Sequence, residues 1–370
     1  MDDYQALVKN VLRQTLHVRP GENVMVEAWN HGLPIAAEFV FQIRATGARP
    51  LLLVEDEDSF WRSAAALPRS KQGTVGRHEW AALEAADAYV FISGPADVSR
   101  IHEVGIDRYD AMISYADEWY RRAASSRIRG AQIDLGYVTE SRARAYGFDL
   151  DAWRQMMLEA SSVEPQELRQ AGQRIQRVLS GKGHLELSAP NGTRFECVLA
   201  RRRAHLEDGV VTPQALDTGE NMASIPAGEV YVAPRERSGA GTIRFDRPIA
   251  SVGRWAREIM RRAWLPGLTF AFDGGRAKWS CEENAELVLS SWRRAKAGRE
   301  LLAGIGIGLN PRAMNGYLQD DLVAGNVYVA IGDSGEFGGR NVVDFGLAGT
   351  LTGATVTVDG TSLIEQGRIV

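Results

Sequence analysis

Glu229 opens an apolar run in the stretch NMASIPAGEVYVAP (221–234), directly after a Pro-Ala-Gly turn. A carboxylate so placed can help to hold a divalent cation, provided that imidazoles or further carboxylates converge on it. Three more acids, Asp333, Glu336 and Asp344, lie close together in sequence and permit an all-oxygen magnesium or calcium site. No spaced calcium-loop pattern accompanies them, so they are expected to be solvated loop acids. Cys197 alternates with Phe195 and Leu199 in RFECVLA, the pattern of a strand's core face. Cys281 follows KWS where a helix is predicted over about 281–297, a position that can lower a thiol pKa. With no histidine near it in sequence, it is read as structural. His31, in EAWNHGLP, follows a strand and is also read as structural, although that place can line a cleft. The glycines of GIGIGLN lack the Lys-Ser or Lys-Thr of a phosphate loop and read as a tightly packed strand.

The elements that must position these residues fall into two kinds. From Tyr4, the apolar residues Leu7, Val8, Val11 and Leu12 recur at helical spacing, with Asp2 or Asp3 placed as a cap. NVMVEAW (23–29), PLLLVED and AYVFISG (88–94) read as strands separated by helical segments such as LPIAAEFVFQIRATGA, and AQIDLGY (131–137) as a further strand. That alternation predicts an open parallel-sheet α/β domain over residues 1–165. A linking helix is expected over 166–182, with Leu168, Ala171, Ile175 and Val178 on one face and Gly181 as its stop. Residues 183–370 then change to short strands with turn signals at Asn191-Gly192 and Asp273-Gly274, interrupted by one helix. The fold class expected is therefore α/β, with a C-terminal β-rich α+β domain.

At 370 residues, with 45% hydrophobic and 24% charged residues, the chain is long enough for two cores. A net charge of −4 gives no electrostatic ground for nucleic acid, and the basic runs RRR (201–203) and WRRAKAGR (292–299) read as solvated arginines. No apolar run approaches the roughly 20 residues that cross a bilayer, and the start of the chain is amphipathic rather than signal-like, so a cytoplasmic protein is expected. Two cysteines make no disulfide framework. Nine tryptophans, Trp29, Trp61, Trp119, Trp255, Trp264, Trp279 and Trp292 among them, are spread through both halves. Most belong in cores, but an Arg- and Trp-rich surface also suits peptide recognition.

The ordered fragments PGENVMVEAW, GARPLLLVEDED, ADAYVFISGP, GTRFECVLARRR, GEVYVAP, GIGLNP, GNVYVAIGD and VTVDGTSLIEQGRIV together resemble the metallo-aminopeptidase family typified by aminopeptidases T and S. The likeness runs over nearly the whole chain. It implies an N-terminal α/β domain, a β-rich C-terminal domain that holds two metal ions in active members, and a homodimer around an internal cavity. Glu229 matches the family's first glutamate ligand. Gly304 falls where the second glutamate is expected, Tyr328 where a histidine is expected, and Gly335 where the catalytic tyrosine is expected. A final His-x-Asp pair is matched most naturally by Asp344 and Gly346. The six histidines end at His205, so the C-terminal segment has no imidazole to offer. The same shortage weakens a ring-cleaving dihydroxypyridine dioxygenase, which needs non-haem iron held by histidines and a carboxylate.

The sequence thus predicts a degenerate member without metal or cofactor that binds a peptide or precursor peptide, with Glu229, Tyr328, Asp344 and Glu336 at its vestigial site. The maturation of a ribosomally made, modified peptide natural product is the setting expected. The alternatives are an active metal-dependent aminopeptidase rearranged around Glu229, Asp333, Glu336 and Asp344, and the dioxygenase.

Overall fold

The apolar runs near the N-terminus are too short for helices and rich in Val, Leu and Ile, and they form the strands Asn23–Trp29, Arg49–Glu55 and Ala88–Ile92. The computed structural model describes residues 4–253 and 262–370, except for the side chain of His102; Asp2, Asp3 and Trp255 lie outside the described residues. With Arg129–Ile133 and Met222–Ile225 these strands make a five-stranded, all-parallel sheet. Its spatial order is Arg49–Glu55, Asn23–Trp29, Ala88–Ile92, Arg129–Ile133, Met222–Ile225. Helix Leu33–Ala45 buries Ile35, Ala36, Phe39 and Ile43, as its periodicity requires. Helices Arg77–Glu84 and Ala116–Ser125 bring Leu83, Trp119 and Ala123 onto Met25 and Tyr89 of the sheet. On that same face Glu27 accepts a 2.5 Å hydrogen bond from Tyr89 Oη. Burial pushes the Glu27 carboxyl up to about 7; the Tyr89 bond opposes this, and Glu55 and Glu79 add to it.

This first unit comprises Met1–Ser162 and Gly209–Pro226. The short strand Met222–Ile225 joins the parallel sheet although it falls within 183–370. The four residues of that strand carry too little periodicity to reveal their partner, and the join is made by main-chain bonding from Gly130 to Asn221 and by the Asn221 amide on the Ile128 carbonyl. The predicted strand at 131–137 is also shorter than its apolar pattern: the strand ends at Ile133 and Asp134–Tyr137 turns as a 3-10 helix.

The second unit comprises Val163–Asp208 and Ala227–Val370. Its helix Pro165–Leu179 turns Leu168, Gly172, Ile175 and Leu179 inward. Among the described residues its strands pair antiparallel in one sheet of eight and one of seven, and the helix Glu286–Arg294 interrupts them in sequence. Asn191-Gly192 and Gly274-Gly275 close tight hairpins, with both Gly274 and Gly275 at positive φ, as two-residue turns demand. A single core joins Leu185, Phe195, Cys197 and Leu199 of the larger sheet to Val230, Ile305, Ile307, Val327 and Val329 of the smaller. The fold class read from the sequence, parallel α/β followed by β-rich α+β, is the one the chain adopts. Among the described residues no helix is long and apolar enough to cross a membrane.

Candidate functional site

The seven-stranded sheet of the second unit carries Glu229 at the head of the strand Glu229–Val232. In an antiparallel sheet, directly opposed residues project to the same face. The register sets His205, Tyr231, Gly306, Tyr328 and Thr350 in one row across five strands, and Glu207, Glu229 and Gly308 in the next row. The alternate residues Val230, Ile307, Val327 and Leu351 belong to the core. The polar row therefore occupies the face away from that core.

Tyr328 Oη donates to Glu229 Oε2 at 2.6 Å, and both residues are buried. The ring reaches the carboxylate because Gly306 has no side chain: a Cβ there would stand 2.1 Å from Tyr328 Cε1. Gly304 serves Phe337 in the same way, with a hypothetical Cβ 2.1 Å from Phe337 Cδ1. Tyr231, Tyr328 and Phe337 pack with Ala233, Ala303, Ala330 and Ala348 into one cluster. The glycines of GIGIG are thus a surface for aromatic rings, in agreement with the packed-strand reading. Gly304, which stands where the family resemblance expects a second glutamate, is covered by a phenylalanine.

The other predicted acids do not gather around Glu229 as a metal cage. Asp333 is buried rather than solvated, because its carboxylate accepts the backbone N–H of Gly335 and of Val343, each at 2.9 Å, and so closes the loop between them. Glu336 is half-buried in the turn Gly335–Phe337, whereas Asp344 is exposed. Gly335 lies in that turn, and Gly346 begins the strand Gly346–Leu351. Among the described residues no three His, Cys, Asp or Glu side chains converge as a metal ion needs. The Glu229 carboxylate, bonded by the Tyr328 phenol, has glycines and aromatic rings around it.

Two residues of this face escape sequence reasoning. Glu207 stands directly opposite Glu229, and His205 stacks on Tyr231 with centroids 5.0 Å apart and rings 10° from parallel. Their signal was the alternation in HLE (205–207), which puts a histidine and a glutamate on one strand face; a search confined to the residues after His205 passes over it. The remaining candidates are structural. His31 Nε2 faces the Gly136 carbonyl at 2.9 Å, and burial lowers its pKa. Cys197 is buried, which pushes its thiol well up. Cys281 precedes the helix Glu286–Arg294 rather than starting it, so no helix terminus acts on it; burial and the Glu286 charge raise its pKa instead of lowering it. In the basic runs Arg202 pairs with Glu236 at 2.9 Å and Arg299 lies over the Trp292 ring at 4.5 Å, so neither is a plain solvated charge.

Neither a family model nor a curated protein matches the chain's sequence. Several solved structures match its fold, among them the following two. The wild-type AmpT of Thermus thermophilus superposes with a TM-score of 0.72 at 15% identity, covering 99% of this chain and 98% of its own. A 2,5-dihydroxypyridine dioxygenase from Pseudomonas putida superposes less well, with a TM-score of 0.61 at 16% identity, covering 99% of this chain and 95% of its own. At such identities the likeness speaks for architecture alone. End to end, the chain has the two-part fold of AmpT.

Proposed function

We propose that this chain is a catalytically degenerate protein of the aminopeptidase fold, working as a homodimer, that holds a peptide by its amino terminus for another enzyme to act upon. The observation that supports this most directly is the pair of opposed glutamates, Glu207 and Glu229, on a face where Tyr328 and Phe337 fill the space over Gly306 and Gly304. Two carboxylates can neutralise a terminal ammonium group and accept its hydrogens without a metal ion. The half-buried His205 ring, stacked on Tyr231, offers flat contact to the first side chain. A precursor peptide awaiting modification into a natural product is the ligand class this reading names.

The test is calorimetry on the full chain with short free peptides, their N-acetylated forms, and any precursor peptide encoded beside its gene. Saturable binding of the free peptides is expected, insensitive to chelator, abolished by acetylation, and weakened about tenfold or more by Glu229→Gln. Peptide hydrolysis on addition of zinc, cobalt or manganese, lost in Glu229→Ala, would instead identify an active aminopeptidase. Iron-dependent oxygen uptake with a dihydroxypyridine would identify the dioxygenase.

A further inference from the structure

The first unit contains a cavity of about 1000 Å³ beside its N-terminal helical segment. Lys9, Arg13, His17, Arg19 and Arg129 line it, against a single acid, Glu22. That acid is already engaged: Arg129 pairs with it at 2.8 Å, and the Arg19 backbone N–H donates to it at 2.9 Å. Among the described residues, the side chains of Lys9, Arg13, His17 and Arg19 have no carboxylate partner. Arginines elsewhere on this unit commonly do, as Arg100 with Asp58, Arg127 with Asp217, and Arg144 with Glu140. In a chain with net charge −4, an uncompensated group of cations around one cavity runs against the average. Their mutual repulsion is relieved by an anion.

The scaffold holds these charges in place. Lys9 and Arg13 stand one helical turn apart along Gln5–Asn10 and Val11–Thr15. Arg129, at the head of the strand Arg129–Ile133, donates to the His17 carbonyl at 3.1 Å. His17 itself has φ 50°, a left-handed conformation uncommon outside glycine and one that recurs at ligand sites. Leu12, Val211 and Leu216 give the cavity apolar wall, and its volume suits a small molecule. Lys9, Arg13 and Arg19 carry three full positive charges. A lone carboxylate balances one of them, whereas a phosphate or diphosphate presents several oxygens and multiple charges to guanidinium forks.

We propose that this cavity binds a small organic phosphate, its phosphate or diphosphate held by Lys9, Arg13 and Arg19 and its body lying against Leu12, Val211 and Leu216. The proposal is independent of the peptide reading, which concerns the other unit. The test is isothermal titration of the full chain with adenosine diphosphate and with inorganic pyrophosphate at fixed ionic strength, with uncharged adenosine as the control. Saturable binding of one or both anions and none of adenosine is expected. Arg13→Glu and Lys9→Glu should each weaken it about tenfold or more, while Arg144→Glu, on an already paired arginine, should leave it unchanged. Lys9 and Arg13 are exposed, so both variants should keep the wild-type circular dichroism. Absence of saturable heat with both anions, or equal weakening by Arg144→Glu, would overturn the proposal.

Discussion

Replacing Glu27 with glutamine should stabilise the protein at alkaline pH and leave it unchanged in acid. Glu27 is enclosed by Tyr89 from its neighbouring strand and by Tyr115 and Tyr120 at the covering helix, with the charges of Glu55 and Glu79 nearby. The three phenols are pushed up by burial and stay neutral throughout the range concerned. Below about pH 4.5 the Glu27 carboxyl is protonated in folded and unfolded chains alike. As pH rises from about 4.5 to about 7, the unfolded chain loses this proton while the folded chain keeps it, so stability falls. Above about 7 the loss is complete. At 1.36 kcal/mol per tenfold change in proton affinity, it amounts to about 3 kcal/mol. Because the side chain keeps some contact with solvent, that figure is a ceiling. Glutamine keeps the shape and still accepts from Tyr89, but it has no proton to lose. Urea unfolding of wild type and Glu27→Gln at pH 4.5, 6 and 8 measures the difference, with groups common to both chains cancelling. Parallel stability curves across that range would refute the argument, because they would mean that Glu27 ionises in the fold as freely as in water.

Gly304→Ala should destabilise the second unit by about 1–3 kcal/mol in urea, since the new methyl group meets the Phe337 ring and not solvent. Adding Phe337→Leu should recover part of that loss, and strict additivity of the two changes would show that the ring does not depend on the glycine. A thiol reagent at pH 8 should modify Cys281 slowly in the folded chain and Cys197 only on unfolding. Prompt reaction of Cys197 would contradict its burial.

How much of this was legible in the sequence depended on the range of the interaction that decides each feature. The strands at Asn23–Trp29 and Ala88–Ile92, the helix Pro165–Leu179 and the hairpin at Asn191-Gly192 are set by local periodicity and turn chemistry, and they were readable. Met222–Ile225 pairs with Arg129–Ile133, more than ninety residues earlier, and nothing in four residues announces such a partner. Asp333 reads as a solvated loop acid because no spaced calcium-loop pattern accompanies it. It is buried because the loop folds back to bring Val343 N–H onto it. His205 and Glu207 were hidden for the same reason, since only the register with Glu229–Val232 gives them their place.

The same register ties the residues of this face to one another. Glycine at 306 and tyrosine at 328 are cross-strand partners, and each is what the other requires: the ring lies where a Cβ would be, and its hydroxyl reaches Glu229 only from there. Gly304, opposed by Ala330, makes room in the same way for the Phe337 ring from the turn Gly335–Phe337. Placing a glutamate at 304 would drive its side chain into the Phe337 ring, and placing a histidine at 328 would withdraw the phenol that Glu229 accepts from. Each change alone would carry an overpacking or lost-hydrogen-bond penalty of about 1–3 kcal/mol. The aromatic and glycine residues are therefore an integrated packing solution around the Glu229 carboxylate.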